Sequence, residues 1–277
     1  MTNQVSQPKF LGGEFADTNG KDRRQVLAEW LTSPENPYFS TSIANRVWAH
    51  FMGVGIVDPV DDIRVSNPPS NPELFQMLGQ KLGEYKFDFR QLVRDICNSQ
   101  AYQRSLTPNE SNKSDTRNFA YATVRRIPAE MLLDCIGQVT NTNEKFRGLP
   151  LGARAVQIAD GRTSTYFLTT FGRAPRDTVC DCEASTDPSL SQALHLLNSS
   201  TTSGKISQGK VIDELLADNA TAEQALERLY IRCVARRPSD AEKKELLASI
   251  EKAASPKEGL EDIFWALLNS REFVFNH

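Results

Sequence analysis

Two closely spaced cysteines mark the stretch of this chain whose residue types are best suited to chemistry. Cys180 and Cys182 lie in the segment FGRAPRDTVCDCEAS, residues 171–185. In an extended backbone, residues two positions apart point to the same side, so both sulfur atoms could bind one metal ion. A structural zinc site needs four ligands, however, and only Glu183 and His195 are nearby in the sequence. A disulfide between the two cysteines would close a small strained ring, so free thiols that help to pack a loop are the favoured interpretation.

Arginine and aromatic residues around the same segment predict a second kind of site. Several arginines lie before the cysteines, with tyrosine and phenylalanine among them. A planar guanidinium group binds an oxyanion through two hydrogen bonds at once, which suits sulfate and carboxylate groups on sugar rings. One hypothesis is therefore an anionic-polysaccharide site formed by Arg162, Tyr166, Arg173, Arg176, Glu183 and His195.

The alternative is that these arginines have a structural role within the chain. Ion pairs between Arg173 or Arg176 and the acidic residues that follow them would lock the loop in place. The sequence favours this interpretation over a ligand site. The acidic residues concerned are Asp177, Asp181 and Glu183.

A further group of polar and aromatic residues lies in the sequence NRVWAHF. Asn45, Arg46 and Trp48 precede His50 there, and the four could line a secondary polar groove. A lone histidine in an aromatic helix more often has a structural role, because its ring packs against neighbours and its nitrogens find local partners. We expect the same of His195, which has leucines on both sides in the sequence.

The sequence contains none of the short motifs that identify common catalytic sites. It has no G-x-S-x-G, no P-loop and no H-E-x-x-H, and no acidic pair is singled out by its spacing as a glycosidase dyad. It also lacks C-x-x-C-H, so we expect no covalently bound haem and no other cofactor in this chain. Catalysis stays open, because the fold can bring together residues that are far apart in the sequence.

The composition excludes several classes of function. The chain has 277 residues, with 32 basic and 35 acidic residues and a formal net charge of −3. This balance provides no basic surface field for nucleic acid. The longest apolar runs are far shorter than the roughly 18 residues that a membrane span needs. The first residues lack the charged and apolar regions of a signal peptide, so we expect none within this chain.

Apolar residues recur at helical spacing over most of the chain and predict a mainly α fold. Asn71 followed by Pro72 is typical of a helix start, and three later pairs have the spacing of capping boxes. The middle of the chain is richer in glycine and β-branched residues, which predicts short strands at about 153–158 and 164–170 with a turn near Asp160 and Gly161. The three pairs are Thr221 with Gln224, Ser239 with Glu242, and Ser255 with Glu258.

These patterns predict two helical bundles around a small central β element and loop. Residues 1–20 would form an extended N-terminal segment, and residues 21–277 a single domain. We place its helical halves at 21–145 and 186–277, on either side of a central strand-and-loop segment at 146–185.

Five blocks of sequence, in this order, resemble a planctomycete-specific C-terminal domain of unknown function. The similarity runs from about residue 8 to residue 274 and so covers nearly the whole chain. The chain departs from the family where Ala184 follows Glu183, because the family usually has arginine at that position. The blocks are NRVWAHFMGVGIV, PELFQMLGQKLGEYKFDFRQLVRDICNSQAYQRS, RRIPAEMLLDCIG, FGRAPRDTVCDCE and SLSQALHLLN.

The resemblance implies a context rather than a reaction. Members of this family typically follow a cytochrome c-like domain within large exported proteins of bacteria rich in polysaccharide-degrading genes. We therefore expect a noncatalytic interaction or scaffold module of an exported or periplasmic multidomain protein linked to polysaccharide use. Two alternatives remain: a hydrolase acting on sulfated polysaccharide with a site near 171–195, and a docking partner of the cytochrome c-like domain, where any haem would be bound.

Overall fold

Helices account for nearly all of the regular secondary structure among the residues that the structure describes. The computed structural model describes residues 6–177, 189–198, 201–217 and 220–276. These ranges contain thirteen α-helices, one 3-10 helix and two strands of two residues each. The mainly α fold that the sequence predicts is confirmed. The chain divides into two compact units, with the boundary between Thr123 and Val124.

The first unit contains four helices, and side-chain caps set the starts of three of them. The side chains of Asp22, Asn71 and Asp88 each accept a hydrogen bond from a backbone N–H in the first helical turn. The cap predicted at Asn71 is confirmed, with Pro72 as the first helical residue. The helices are α1 (Arg23–Leu31), α2 (Phe39–Met52), α3 (Pro72–Glu84) and α4 (Phe89–Asn98).

The core of the first unit forms where α2 packs against α3 and α4. A Cβ atom on Gly79 of α3 would lie 2.5 Å from Thr41 Cγ2 of α2, so only glycine allows the two helices to approach this closely. The apolar faces of the three helices and the segment after α2 form one cluster. Its buried members are Ala44, Trp48, Met52, Ile56, Val57, Phe75, Leu78, Leu82, Leu92 and Ile96.

The second unit contains the remaining elements and a separate core. A two-stranded antiparallel sheet pairs Arg126 of the first strand with Phe275 of the second. The elements are β1 (Arg125–Arg126), α5 (Ala129–Thr140), a 3-10 helix (Ala155–Gln157), α6 (Tyr166–Thr170), α7 (Leu190–Asn198), α8 (Ser203–Gly209), α9 (Val211–Leu216), α10 (Ala222–Val234), α11 (Asp240–Lys252), α12 (Pro256–Leu268), α13 (Arg271–Val274) and β2 (Phe275–Asn276).

The helix starts predicted in the C-terminal third are confirmed at α10, α11 and α12. Thr221 and Ser239 each form a complete capping box with the Gln or Glu three residues later. Ser255 caps α12 by accepting a hydrogen bond from the backbone N–H of Glu258 at 3.2 Å. The chain forms helices here because each apolar stripe follows directly on a residue that satisfies the free N–H groups of the first turn.

The two strands predicted in the middle of the chain are wrong. Residues Ala155–Gln157 form a 3-10 helix and Tyr166–Thr170 form α6. The hydroxyl of Thr165 accepts a hydrogen bond from Leu168 N at 3.3 Å, and this N-cap favours a helical turn over extended structure. The small sheet lies instead between β1 and β2, which are joined from distant parts of the sequence.

The helix α5 belongs to the second unit, whereas the sequence had placed it in the first helical half. It lies against α6, α8 and the 3-10 helix. Whether residues 21–277 act as one family domain stays a prediction. In the described ranges, no helix has both the length and the apolar character that a bilayer crossing would require.

We expect the substitution Asn45→Ala to destabilise the first unit by about 2–4 kcal/mol. Asn45 is buried, and its amide accepts a hydrogen bond from Val57 N at 3.0 Å and donates one to Val57 O at 2.9 Å. Alanine would leave both backbone groups without this partner. Urea unfolding followed by circular dichroism measures the change. The control Asn19→Ala, at an exposed position, should shift stability by less than about 0.5 kcal/mol, and equal effects for both variants would contradict the assignment.

Candidate functional site

Arg173, which follows α6, is a buried arginine with several hydrogen-bond partners in the second unit. Its side chain is only 2% exposed and its Nε donates a hydrogen bond to Glu130 Oε1 at 3.1 Å. Its terminal nitrogens donate to the backbone carbonyls of Thr163 at 2.7 Å and Asp160 at 2.8 Å. The guanidinium group therefore joins the first turn of α5 to the irregular segment before α6.

Close backbone packing also fixes the irregular segment before α6. A Cβ atom on Gly161 would lie 1.6 Å from the carbonyl oxygen of Pro175, so glycine is required at this contact. Arg176 donates a hydrogen bond from Nη1 to the Ala159 carbonyl at 2.7 Å. The carboxylate of Asp160 accepts hydrogen bonds from both the backbone N–H and the hydroxyl of Thr163, which closes a turn.

Aromatic packing fixes the position of α6 relative to α7. Phe167 and Phe171 stack with their ring centres 4.2 Å apart, and the edge of the His195 ring contacts this pair. Gln192 of α7 is buried and donates a hydrogen bond to the Thr170 carbonyl at 3.2 Å. Tyr166 lies at the start of α6, with its ring centre 5.2 Å from that of His195.

A cavity of about 410 Å³ lies beside this aromatic group. Tyr166 forms part of its wall although 73% of its surface is exposed, so its ring is available to a ligand. His195 Nε2 lies 3.1 Å from the hydroxyl oxygen of Thr201. The lining residues are Leu133, Glu144, Thr165, Tyr166, Phe167, His195 and Thr201.

Burial lowers the pKa of the His195 imidazole below its ordinary value. The neutral form therefore predominates at neutral pH, and one ring nitrogen then donates a hydrogen bond while the other accepts one. A neutral imidazole next to a hydroxyl group and a tyrosine ring can exchange hydrogen bonds with an uncharged polar ligand.

Glu144, in the segment after α5, is the one acidic residue among the described residues that line the cavity. Glu144 Oε1 lies 2.6 Å from Nζ of Lys205, a lysine on α8 whose side chain is only 11% exposed. Lys205 also donates a hydrogen bond to the Thr142 hydroxyl at 3.1 Å. These bonds hold the carboxylate in one orientation, with Glu144 still half-buried at the cavity wall.

The structure brings together two of the six predicted ligand residues, Tyr166 and His195. Arg162 is exposed on the preceding loop and is absent from the described cavity lining. Arg173 pairs with Glu130, a partner that the sequence did not predict. Its predicted pairing with the acidic residues that follow it stays a prediction, because Asp181 and Glu183 lie outside the described residues. The nitrogen donors of Arg173 and Arg176 bind internal carbonyl groups, so the role of these two in ligand binding stays a prediction.

The predicted metal pair lies outside the described residues. Cys180, Cys182 and Glu183 all fall in the range 178–188, so their site also stays a prediction. Within the described ranges, no group of three histidine, cysteine or acidic side chains is arranged to hold a metal ion.

The residues predicted to form a secondary groove are divided between the core and the surface. Asn45 and Trp48 are buried, whereas Arg46 and His50 are exposed. Arg46 forms an ion pair with Asp61, and the His50 ring packs edge-on against its neighbour on α2. The buried pair therefore contributes to packing, and ligand binding by the four stays a prediction.

Sequence reasoning missed much of the cavity wall, namely Leu133, Glu144 and Thr201. None of them lies in a recognisable motif, and they come from segments up to 68 positions apart in a chain of 277 residues. The available signal was the polar run after α5, in which Glu144 follows three residues with short polar side chains. A polar run of that kind predicts only a loop.

Comparison with known families assigns the chain to one family. The model for a protein of unknown function (PSD1, DUF1553) matches residues 23–250, and the chain belongs to this family. No curated protein matches the chain significantly, and no solved structure does either. The family description records no reaction or ligand, so function must be argued from the geometry of the cavity.

We expect Arg173→Ala to destabilise the second unit by about 3 kcal/mol or more, because it leaves a partly buried carboxylate and several carbonyl groups without their donor. Thermal unfolding followed by circular dichroism measures the loss. Arg162→Ala is the matched control, since it removes the same side chain from an exposed position of the same loop. A variant Arg173→Ala that unfolds at the same temperature as this control would contradict the structural role.

Proposed function

We propose that this chain is a noncatalytic interaction module that binds polysaccharide through the cavity beside α6 and α7. The observation that carries the proposal is the exposed ring of Tyr166 next to a neutral imidazole and several hydroxyl groups. Binding cavities for small molecules generally combine apolar and aromatic walls with a few polar groups that fix the orientation of the ligand.

The chemistry of this wall suits a sugar ring. The faces of a pyranose ring carry C–H groups, which pack against an aromatic ring, while its edges carry hydroxyl groups. Tyr166 provides the aromatic face, and Glu144, His195 and Thr201 provide hydrogen-bonding groups around it. All three polar groups can bind hydroxyl groups, because a carboxylate accepts and both a neutral imidazole and a hydroxyl donate and accept.

A more specific version of this proposal is that the ligand is an anionic polysaccharide. Arg162 supports it, because its side chain is exposed on the loop that leads into α6. The buried guanidinium group of Arg173 supports it less, since that group is bonded to Glu130 and to backbone carbonyls. A sulfate group would therefore be bound at the edge of the cavity, while the sugar ring contacts Tyr166.

We expect Tyr166→Ala to weaken binding of xylan and κ-carrageenan, a neutral and a sulfated polysaccharide, about tenfold. Loss of one aromatic contact of this kind costs on the order of 1.4 kcal/mol. Arg162→Ala should weaken binding of the sulfated polysaccharide only. Isothermal titration calorimetry measures both effects.

Tyr38→Ala is the matched control, because Tyr38 is another exposed tyrosine and belongs to the first unit. It should bind both polysaccharides with wild-type affinity. If Tyr166→Ala binds as tightly as this control, the cavity is not the binding site. If the wild type binds neither polysaccharide, the proposal is wrong.

The second candidate function is a polysaccharide hydrolase, which the presence of Glu144 and His195 in one cavity favours. Glycosidases generally use two carboxyl groups, and Glu144 is the one carboxylate among the described residues that line this cavity. We therefore expect wild-type protein incubated with the same polysaccharides to release no new reducing ends. If the wild type releases reducing ends and Glu144→Gln abolishes this release, the protein is a hydrolase and the binding proposal is wrong.

The resemblance to a planctomycete domain supports a proposal about the parent protein. We place the module in an exported or periplasmic multidomain bacterial protein linked to polysaccharide use, and any haem on a separate cytochrome c-like domain. Five sequence blocks in the family order support this context. Docking of such a domain to this chain stays an alternative to polysaccharide binding.

A further inference from the structure

A second cavity adjoins the one beside Tyr166. Its volume is about 380 Å³, and Leu133 and Glu144 line both cavities. The two cavities therefore adjoin at these side chains. The two adjoining cavities are called the groove below.

The wall of the second cavity is rich in amide groups. Gln138, Asn141 and Asn143 are exposed there, and each side chain carries two donors and an acceptor. Thr142 adds a hydroxyl group between the two asparagines. Two charged residues of this wall, Asp134 and Arg154, form an ion pair with each other at 3.3 Å. The amides and the hydroxyl both donate and accept hydrogen bonds, which suits a ligand with many hydroxyl groups.

The backbone beneath these amides is well ordered by hydrogen bonds. Asn141 ends α5 in the left-handed conformation, with φ of 56°, and Thr142 N donates to the Gly137 carbonyl at 2.9 Å. The carboxylate of Asp134 accepts a hydrogen bond from Ala155 N at 2.6 Å, which fixes the far wall. These hydrogen bonds fix the backbone that carries the amides, which lowers the entropic cost of binding.

Glu144 occupies the junction of the two cavities and is held there by a buried contact. Lys205 bonds to both Glu144 and Thr142, so it anchors one residue common to the cavities and one residue of the second cavity. A ligand that extends from Tyr166 into the second cavity must pass the carboxylate of Glu144. A sugar hydroxyl fits this position, since a carboxylate accepts hydrogen bonds from hydroxyl groups and repels anionic groups.

We propose that the groove binds at least two consecutive sugar units of one polysaccharide chain, an inference that rests on the proposed function. One unit contacts Tyr166 and His195, and the next contacts the amides of Asn141 and Asn143. The unit in the second cavity carries free hydroxyl groups rather than sulfate. Any sulfate lies on the side of Arg162.

The test compares ligands of increasing length. Isothermal titration calorimetry is carried out with xylose, xylobiose and xylotetraose, and with κ-carrageenan di- and tetrasaccharides. We expect the affinity of the wild type for xylotetraose to exceed its affinity for xylose at least tenfold. In the double variant Asn141→Gly, Asn143→Ala this gain should fall to threefold or less, while the affinity for xylose stays unchanged.

The variants are chosen so that folding and function are separated. Glycine is well suited to the left-handed position of Asn141, and Asn143 is exposed, so the double variant should unfold at the wild-type temperature. Asn19→Ala, an exposed asparagine of the first unit, is the control and should keep the full dependence on length.

Three results would overturn the inference. Binding without dependence on length, or a full gain in the double variant, would remove the second cavity and leave the proposed function intact. Absence of binding by every oligosaccharide and by both polysaccharides would overturn the proposed function and this inference together.

Discussion

The guanidinium group of Arg173 orders a part of the second unit that has little regular structure of its own. It bonds to Glu130 at the start of α5 and to carbonyl groups of the segment before α6. A buried guanidinium group is stable only when its donors are satisfied, so these bonds require the segment to follow one path. That path sets where α6 begins and therefore where Tyr166 is exposed. The cavity depends on an ion pair that does not itself line it.

The sequence predicted helices well wherever caps and apolar stripes agree. Thr221 and Ser239 are examples, because the residues that form each capping box lie within one turn of each other. The strands expected at 153–158 and 164–170 failed because β-branched residues also occur in short helical turns. The actual sheet joins Arg126 to Phe275, and no local pattern could have revealed a pairing over that distance. Patterns within a few residues therefore predicted the helices, whereas pairing between distant segments could not be predicted from the sequence.

The sequence likewise identified only part of the candidate site. Tyr166 and His195 could be selected from the sequence because aromatic and basic residues cluster around them. Glu144 could not, since its importance arises from Lys205 and from its place between two cavities, both of which are products of folding. Arg173 was selected for its residue type, but its burial and its pairing with Glu130 give it a structural role. Residue type therefore selected some of the side chains at the cavity, and the fold added Glu144 and gave Arg173 its structural role.

The charged groups that line the two cavities support the proposal of a binding module. Acid–base catalysis of glycoside cleavage requires two carboxyl groups placed on either side of the bond that breaks. In the described part of the groove, Asp134 already accepts a hydrogen bond from the backbone of the 3-10 helix, and Glu144 is bonded to Lys205. Both carboxylates are thus used to order the walls, and the rest of the polar lining consists of amides, hydroxyls, a neutral imidazole and the guanidinium group of Arg154, which pairs with Asp134. Such a lining can orient a chain of sugar units through many weak hydrogen bonds, which is the property of a recognition surface.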